Sequence, residues 1–197
     1  MSGTAGGPSR PQGPERLAPL PESALTPAQR RVVDAMRQGP RGALGGPFVA
    51  LLRSPELCQR TQLLGEYLRF ESIVPQHLRE LAILATAQHW RQNYEWHMHA
   101  PIAERLGLAR PVIDAIAAGV APESCAPDEA LVLRFCRELH ETHALSDAVY
   151  AQARELLGED GVVELCGLCG YYALLAMVLN VARTPPPAGG ETPFRAL

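Results

Sequence analysis

Residues 75–103 gather groups that can move protons: Glu80, His89, Arg91, Tyr94, Glu95, His97 and His99, set between apolar residues of two consecutive helical patterns. Glu95 and His99 are four apart, so they share one helix face. Glu80 lies in Leu-Arg-Glu-Leu, an apolar surround that raises a carboxyl pKa and that a nearby imidazole partly counteracts. Two carboxyls and an imidazole in a dry pocket make a proton relay that works near neutral pH. His99, Glu80 and Glu95 are therefore the candidate catalytic residues. Arg91 is a candidate clamp for a substrate carboxylate, because its planar fork matches that anion. Trp90, Trp96 and Tyr94 are candidate pocket walls, with core packing the competing role for at least one Trp. Glu80, Glu95, His97 and His99 are also ligand types that suit zinc or iron. However, His97 and His99 are two apart on a helix and point in different directions. Spacing alone makes an i,i+4 Glu/His pair a helix-stabilising contact more often than a site.

The elements that position these residues are legible from caps and breakers. Thr26-Pro27 reads as a helix start, and Gly39-Pro40 as its stop. A Gly-rich turn leads to a short apolar segment, Phe48 to Leu52. Ser54-Pro55 repeats the start signal, and Leu57, Leu63, Leu64, Tyr67 and Leu68 follow. Pro75 opens the helix that carries Glu80. Tyr94 to Leu106 is the next helix, ending at Gly107, with Pro101 expected to kink it or loosen a turn. Arg110-Pro111 begins a short helix ending near Gly119, and Asp128 to His143 forms another. Ser146-Asp147 caps a helix ending at Gly158, and a long apolar helix runs from about Gly161 until Pro185-Pro186-Pro187 breaks it. No run alternates with period two, so the fold class is all-α. The expected organisation is a flexible arm over 1–24, one helical domain over 25–184 and a Pro/Gly-rich tail over 185–197.

Composition narrows the chemistry further. The chain has 197 residues, which fits one domain. All eighteen basic residues are Arg, so no internal Lys can form a Schiff base. With no Gly-rich phosphate loop or dinucleotide fingerprint either, the expectation is a site without a cofactor. The net charge of −3 argues against a nucleic-acid partner. Five cysteines in apolar patterns suit free thiols in a reducing cytoplasm, and the Arg-only usage suits a bacterial gene. The N-terminus lacks the apolar core of a signal peptide. Residues 162–182 are long enough to span a bilayer, but Glu164 and Asn180 near the ends fit a core or subunit-interface helix better. No membrane partner is expected.

Arg79-Glu80-Leu-Ala-Ile-Leu, then Tyr94-Glu95-Trp and His99, then Ala103 and Gly107-Leu108, resembles the carboxymuconolactone decarboxylase family, which includes the alkylhydroperoxidase branch. The resemblance runs from about Gly45 to Ala182, with Gly170-Tyr171-Tyr172 similar to the start of the family's C-terminal helix. It implies an alkylhydroperoxidase-like helical bundle that assembles with itself as a homotrimer or homohexamer. It also implies a small-molecule substrate, such as a carboxylated unsaturated lactone that loses CO₂. In the peroxidase branch a Cys-x-x-Cys pair opens the second motif helix. Anchored on His99, those positions fall on Gln92 and Glu95, while the family's relay Glu falls on Glu80 and its His on His99. The resemblance thus implies an acid/base frame without the redox thiols. Cys166-Gly-Leu-Cys169 is the sequence's own Cys-x-x-Cys. It sits in an apolar helix without a cationic neighbour and reads as buried structural thiols, with a peroxidase using relocated thiols as the remaining alternative.

Overall fold

The computed structural model describes residues 13–188 and 192–194. Among them there is no strand; the elements are α1 (Pro27–Gln38), α2 (Pro47–Leu51), α3 (Pro55–Glu66), a π-helical turn (Tyr67–Glu71), α4 (Gln76–His89), α5 (Asn93–Arg105), α6 (Arg110–Ala118), α7 (Pro127–Thr142) and α8 (Asp147–Ala182), after one 3₁₀ turn at Glu22–Ala24. The start signals work through the expected bonds at two places. The Thr26 hydroxyl accepts from Gln29 N–H, and Gln29 Oε1 accepts from Thr26 N–H at 2.9 Å, a reciprocal cap. Ser146 accepts from Val149 N–H in the same way. Ser54 precedes α3 without a side-chain cap bond, so there the proline alone sets the helix entry.

α4 is the central helix, packed against α5, α6, α7 and α8. Its Leu78, Leu81, Ala82, Ile83 and Leu84 are all almost wholly buried. A helix apolar around most of its circumference is a core helix, and its few polar groups must then find partners inside the protein. α5 runs without interruption through Pro101. The two C-terminal helices expected from the sequence are continuous apart from Gly158, whose φ of 74° marks the kink between them. The second half of α8 is long and apolar enough to cross a membrane, yet half of that window is buried in the domain, including Leu165, Leu168, Tyr172, Leu175 and Leu179. It is the spine of the core.

Both end segments make contacts with the helical domain. Residues 1–12, 189–191 and 195–197 lie outside the described residues. Residues 13–24 are tied down: Arg16 N–H donates to Ala182 O at 2.7 Å, and Arg53 donates to Ala18 O. In the tail, Phe194 is buried and meets Trp96 edge-on at 5.3 Å. Asn93 satisfies both backbone groups of Phe194, donating to its carbonyl at 2.7 Å and accepting from its N–H at 3.0 Å. One aromatic in a Pro/Gly-rich tail is enough to dock it, because the burial offsets the ordering of a few residues.

Candidate active site

α4 and α5 lie side by side and bring Glu80 and His99 together. His99 Nδ1–H donates to Glu80 Oε2 at 2.6 Å, with His99 and Glu80 both 5% exposed. Glu95, one turn before His99 on α5, is equally buried, and its Oε2 faces His99 Nε2 at 3.8 Å. That gap is too long for a hydrogen bond. Glu95 Oε1 has no hydrogen-bond partner at all. Burial drives the Glu95 pKa up to about 7, against the opposing pull of His99, Arg69 and Arg41. A buried carboxyl favours its neutral form, and a value near neutrality suits a group that exchanges protons in both directions. The Nδ1–H bond to Glu80 fixes the ring and leaves Nε2 as the working nitrogen.

Further side chains close the site. Tyr172, from α8, meets the His99 ring edge-on at 5.1 Å. It is 3% exposed, and burial holds its phenol well above the ordinary range, so it stays a neutral wall. Arg79, buried one residue before Glu80, donates to Leu68 O and Ser72 O at 3.4 and 3.2 Å. It thereby fastens α4 to the π-helical turn that carries Arg69. Arg41 donates to Tyr171 Oη at 3.2 Å. α3 can approach that pair only because position 65 is Gly: a Cβ there would lie 2.0 Å from Tyr171 Oη. Gly46, with φ 55°, plays the same part for Tyr94, whose ring would crowd a Cβ at 2.8 Å.

The sequence-derived residues divide. Glu80, Glu95 and His99 converge. Trp96 is fully buried against Phe194 and serves the core. Trp90 packs edge-on against His89 at 5.8 Å. Tyr94 is half-buried beside Gly46. Arg91 is exposed on the α4–α5 turn with φ 51°, and the arginines whose charge reaches Glu95 are Arg69 and Arg41. Arg41, from the α1–α2 turn, and Tyr172, from α8, lie far from residues 75–103 in sequence, and Arg69 sits in the π-helical turn just before them, so only the packing reveals them; Gly170-Tyr171-Tyr172 is the one sequence signal, and it concerns Tyr172 alone. Among the described residues, no group of three His, Cys, Asp or Glu side chains is arranged to hold a metal ion, so geometry does not carry the Glu80/Glu95/His99 metal reading.

The reading of Cys166-x-x-Cys169 as two buried thiols without a cationic neighbour also changes. Cys166 is exposed and Cys169 buried. The partner of Cys169 is Cys136 on α7, with the sulfurs 3.8 Å apart, and His140 lies beside it. The α7 residues that pack on α8 are 33 and 29 positions away, out of reach of any local motif.

An all-helical domain with a buried carboxylate–imidazole–carboxylate cluster on two adjacent helices defines the class. The sequence profile of the carboxymuconolactone decarboxylase family matches residues 55–138, a span that contains all three site residues. Two solved structures share the fold at a TM-score of 0.70. One is an uncharacterized peroxidase-related protein from Silicibacter sp. TM1040, 14% identical, the match covering 92% of this chain and 96% of that one. The other is an alkylhydroperoxidase AhpD core, an uncharacterized peroxidase-related protein from Ralstonia eutropha JMP134, 18% identical over 90% and 95%. No curated protein matches the sequence. Residues 55–138 thus match the carboxymuconolactone decarboxylase family, within a chain that has the helical fold of these alkylhydroperoxidase-like structures.

Proposed function

We propose that Glu80, His99 and Glu95 form the acid/base centre of a cofactor-independent enzyme that decarboxylates or isomerises a small carboxylated lactone or related unsaturated acid. The observation that supports this reading best is the buried His99, held by Glu80 on one nitrogen and faced by a near-neutral Glu95 on the other. In decarboxylation the bond to the carboxylate carbon breaks, CO₂ leaves, and the electron pair remains on the substrate as a dienolate. His99 Nε2 delivers the proton to carbon. Glu80 orients the ring and stabilises the imidazolium, and once the product has left Glu95 passes to His99 a proton taken from solvent, replacing the one now on the product carbon. Arg69 and Arg41 supply positive charge on the Glu95 side and take over the clamp role first read for Arg91.

The peroxidase-related names of the structural neighbours do not transfer readily to this pocket. Gln92 and Glu95 stand where the resemblance places the thiols. Gln92 is committed to Asn180 at 2.8 Å and to Tyr94 N–H at 2.6 Å. We also propose a cytoplasmic homotrimer or homohexamer. Tyr67, Phe70, Ile73 and Val163 are 42–70% exposed, and Glu164 bonds both Tyr67 and Ile73, so these side chains make one apolar surface. Light scattering at micromolar concentration reads the assembly, and a monomer mass would contradict it.

The function is tested by CO₂ release from carboxylated unsaturated γ-lactones and related acids, without added cofactor. The expected result is turnover that falls about 10²–10⁴-fold in His99→Gln. Release that is indifferent to His99, or absent across those substrates, would overturn the proposal.

A further inference from the structure

Away from the acid/base cluster, α4 lines a cavity of about 540 Å³, which none of Glu80, Glu95 and His99 borders. That volume is ordinary for a small-molecule site. Its apolar lining comes from three helices: Ala85 of α4, Ile116 of α6, and Ala130 and Leu133 of α7. One wall is flat, because the His89 and His140 rings stack at 4.7 Å and 13°. The Thr86 hydroxyl donates to Ala82 O at 2.8 Å, so its oxygen accepts from His140 Nε2–H at 3.0 Å and holds that ring in place. The charged groups that line the cavity are not equally free. Arg134 is committed to Gln152 Oε1 at 2.7 Å. Arg137 is exposed and makes no hydrogen bond or ion pair with any described residue. Glu141, one turn beyond Arg137, is exposed as well. Gln88 reaches the α6–α7 loop only because position 119 is Gly: a Cβ there would lie 2.7 Å from Gln88 Nε2.

We infer that this cavity binds a planar aromatic monocarboxylate, its ring between the apolar lining and the His89/His140 stack and its carboxylate on Arg137. The apolar side chains favour burial of a ring, and a fixed pair of stacked rings offers it a face or an edge. The guanidinium selects the other end of the ligand. An exposed Arg is well hydrated, so its charge alone names nothing. An Arg without a protein partner on an apolar cavity matches a molecule that is apolar at one end and anionic at the other, and its planar fork takes both oxygens of a carboxylate. Gln88 Nε2 offers a further donor on the same cavity. Glu141 sets the ligand's charge. A second anionic group would face the Glu141 carboxylate with no second free cation to meet it, since Arg134 is already bonded, so dicarboxylates and phosphates are disfavoured. The site is separate from the acid/base centre, and the inference does not rest on the reaction proposed there.

The test titrates the full chain calorimetrically at neutral pH with 2-naphthoate and, separately, with the uncharged 2-naphthamide. The unmutated protein should bind the acid with a Kd below about 1 mM, and roughly tenfold more tightly than the amide. Arg137→Gln changes an exposed side chain, so folding is not at stake. It should weaken the acid about tenfold and leave the amide unchanged, which abolishes the preference for charge. His99→Gln should bind both probes as the unmutated protein does. No binding of 2-naphthoate up to about 1 mM overturns the proposal, and that is also the outcome if a second copy of the chain covers the cavity. Equal affinity for acid and amide, a preference for the acid that survives Arg137→Gln, or binding that is lost in His99→Gln overturns it too.

Discussion

The two flanks of α4 bury reactive groups in different ways. Toward α5, Glu80 meets His99 at 2.6 Å, and both partners stand within one sequence motif, nineteen residues apart. Toward α7 and α8, Cys136 of α7 meets Cys169 of α8, with His140 of α7 bonded to Thr86 of α4 beside them. Both flanks pair groups that are costly to bury alone, since an isolated charge in the interior is strongly disfavoured. The difference lies in what remains unpaired. The α5 side leaves Glu95 Oε1 without a hydrogen bond and a 3.8 Å gap between Glu95 and His99. The α7/α8 side leaves two sulfurs facing each other at 3.8 Å, beside a cavity of about 540 Å³ that Cys136 lines.

This comparison breaks or sharpens at three places. The largest effect belongs to His99. Replacing it with Gln keeps a donor for Glu80 and removes the acid/base nitrogen, so kcat should fall about 10²–10⁴-fold while the fold persists. His99→Ala should in addition destabilise the protein by about 3–5 kcal/mol, because it strands the buried Glu80 charge, and thermal unfolding reads that cost. Equal melting temperatures for the Ala and Gln variants would contradict the buried pair.

Next comes the pH dependence that Glu95 imposes. Its folded pKa is raised from 4.5 to about 7, so the folded state holds this proton more tightly than the unfolded state does. The sign follows: the Glu95 contribution costs nothing below pH 4.5, and it erodes stability as pH rises through 4.5 to 7, by up to about 3 kcal/mol. Glu95→Gln removes that slope. Denaturant unfolding at pH 5 and pH 8 should show the wild type losing stability relative to the variant, and parallel curves would refute the shift.

The smallest effect is on the surface. Glu56 and Arg60 on α3 have the same i,i+4 spacing as Glu95 and His99, and they touch at 2.6 Å, yet both are about three-quarters exposed. Glu56→Gln should change stability by no more than about 0.5 kcal/mol. A change of 2 kcal/mol there would mean that spacing, and not burial, sets the value of such pairs.

That contrast also explains what was legible in the sequence. Caps and breakers are local, so Thr26, Pro75, Gly119 and Ser146 mark their helix ends where the structure has them. Glu80, Glu95 and His99 were readable because one hairpin of consecutive helices carries all three. Arg41, Arg69 and Tyr172 were not, because they reach the site from the α1–α2 turn, the π-helical turn and α8, and no periodicity encodes which segments meet. The Cys136–Cys169 contact was hidden for the same reason: the local Cys166-x-x-Cys169 pattern pointed along α8, whereas the partner of Cys169 comes across from α7. Phe194 does not stand out in the Pro/Gly-rich tail, because composition averages over the one side chain that meets Trp96.

The central claim is that Glu95 and His99 are electrically coupled in the buried interior between α4 and α5. Carbon-detected NMR of protein labelled at the Glu carboxyl carbons measures this directly, with Glu95→Gln giving the assignment. The account predicts that Glu95 titrates near pH 7 and moves to still higher pH in His99→Gln, because the imidazole holds it down. Titration near pH 4.5 that is indifferent to His99 would contradict it.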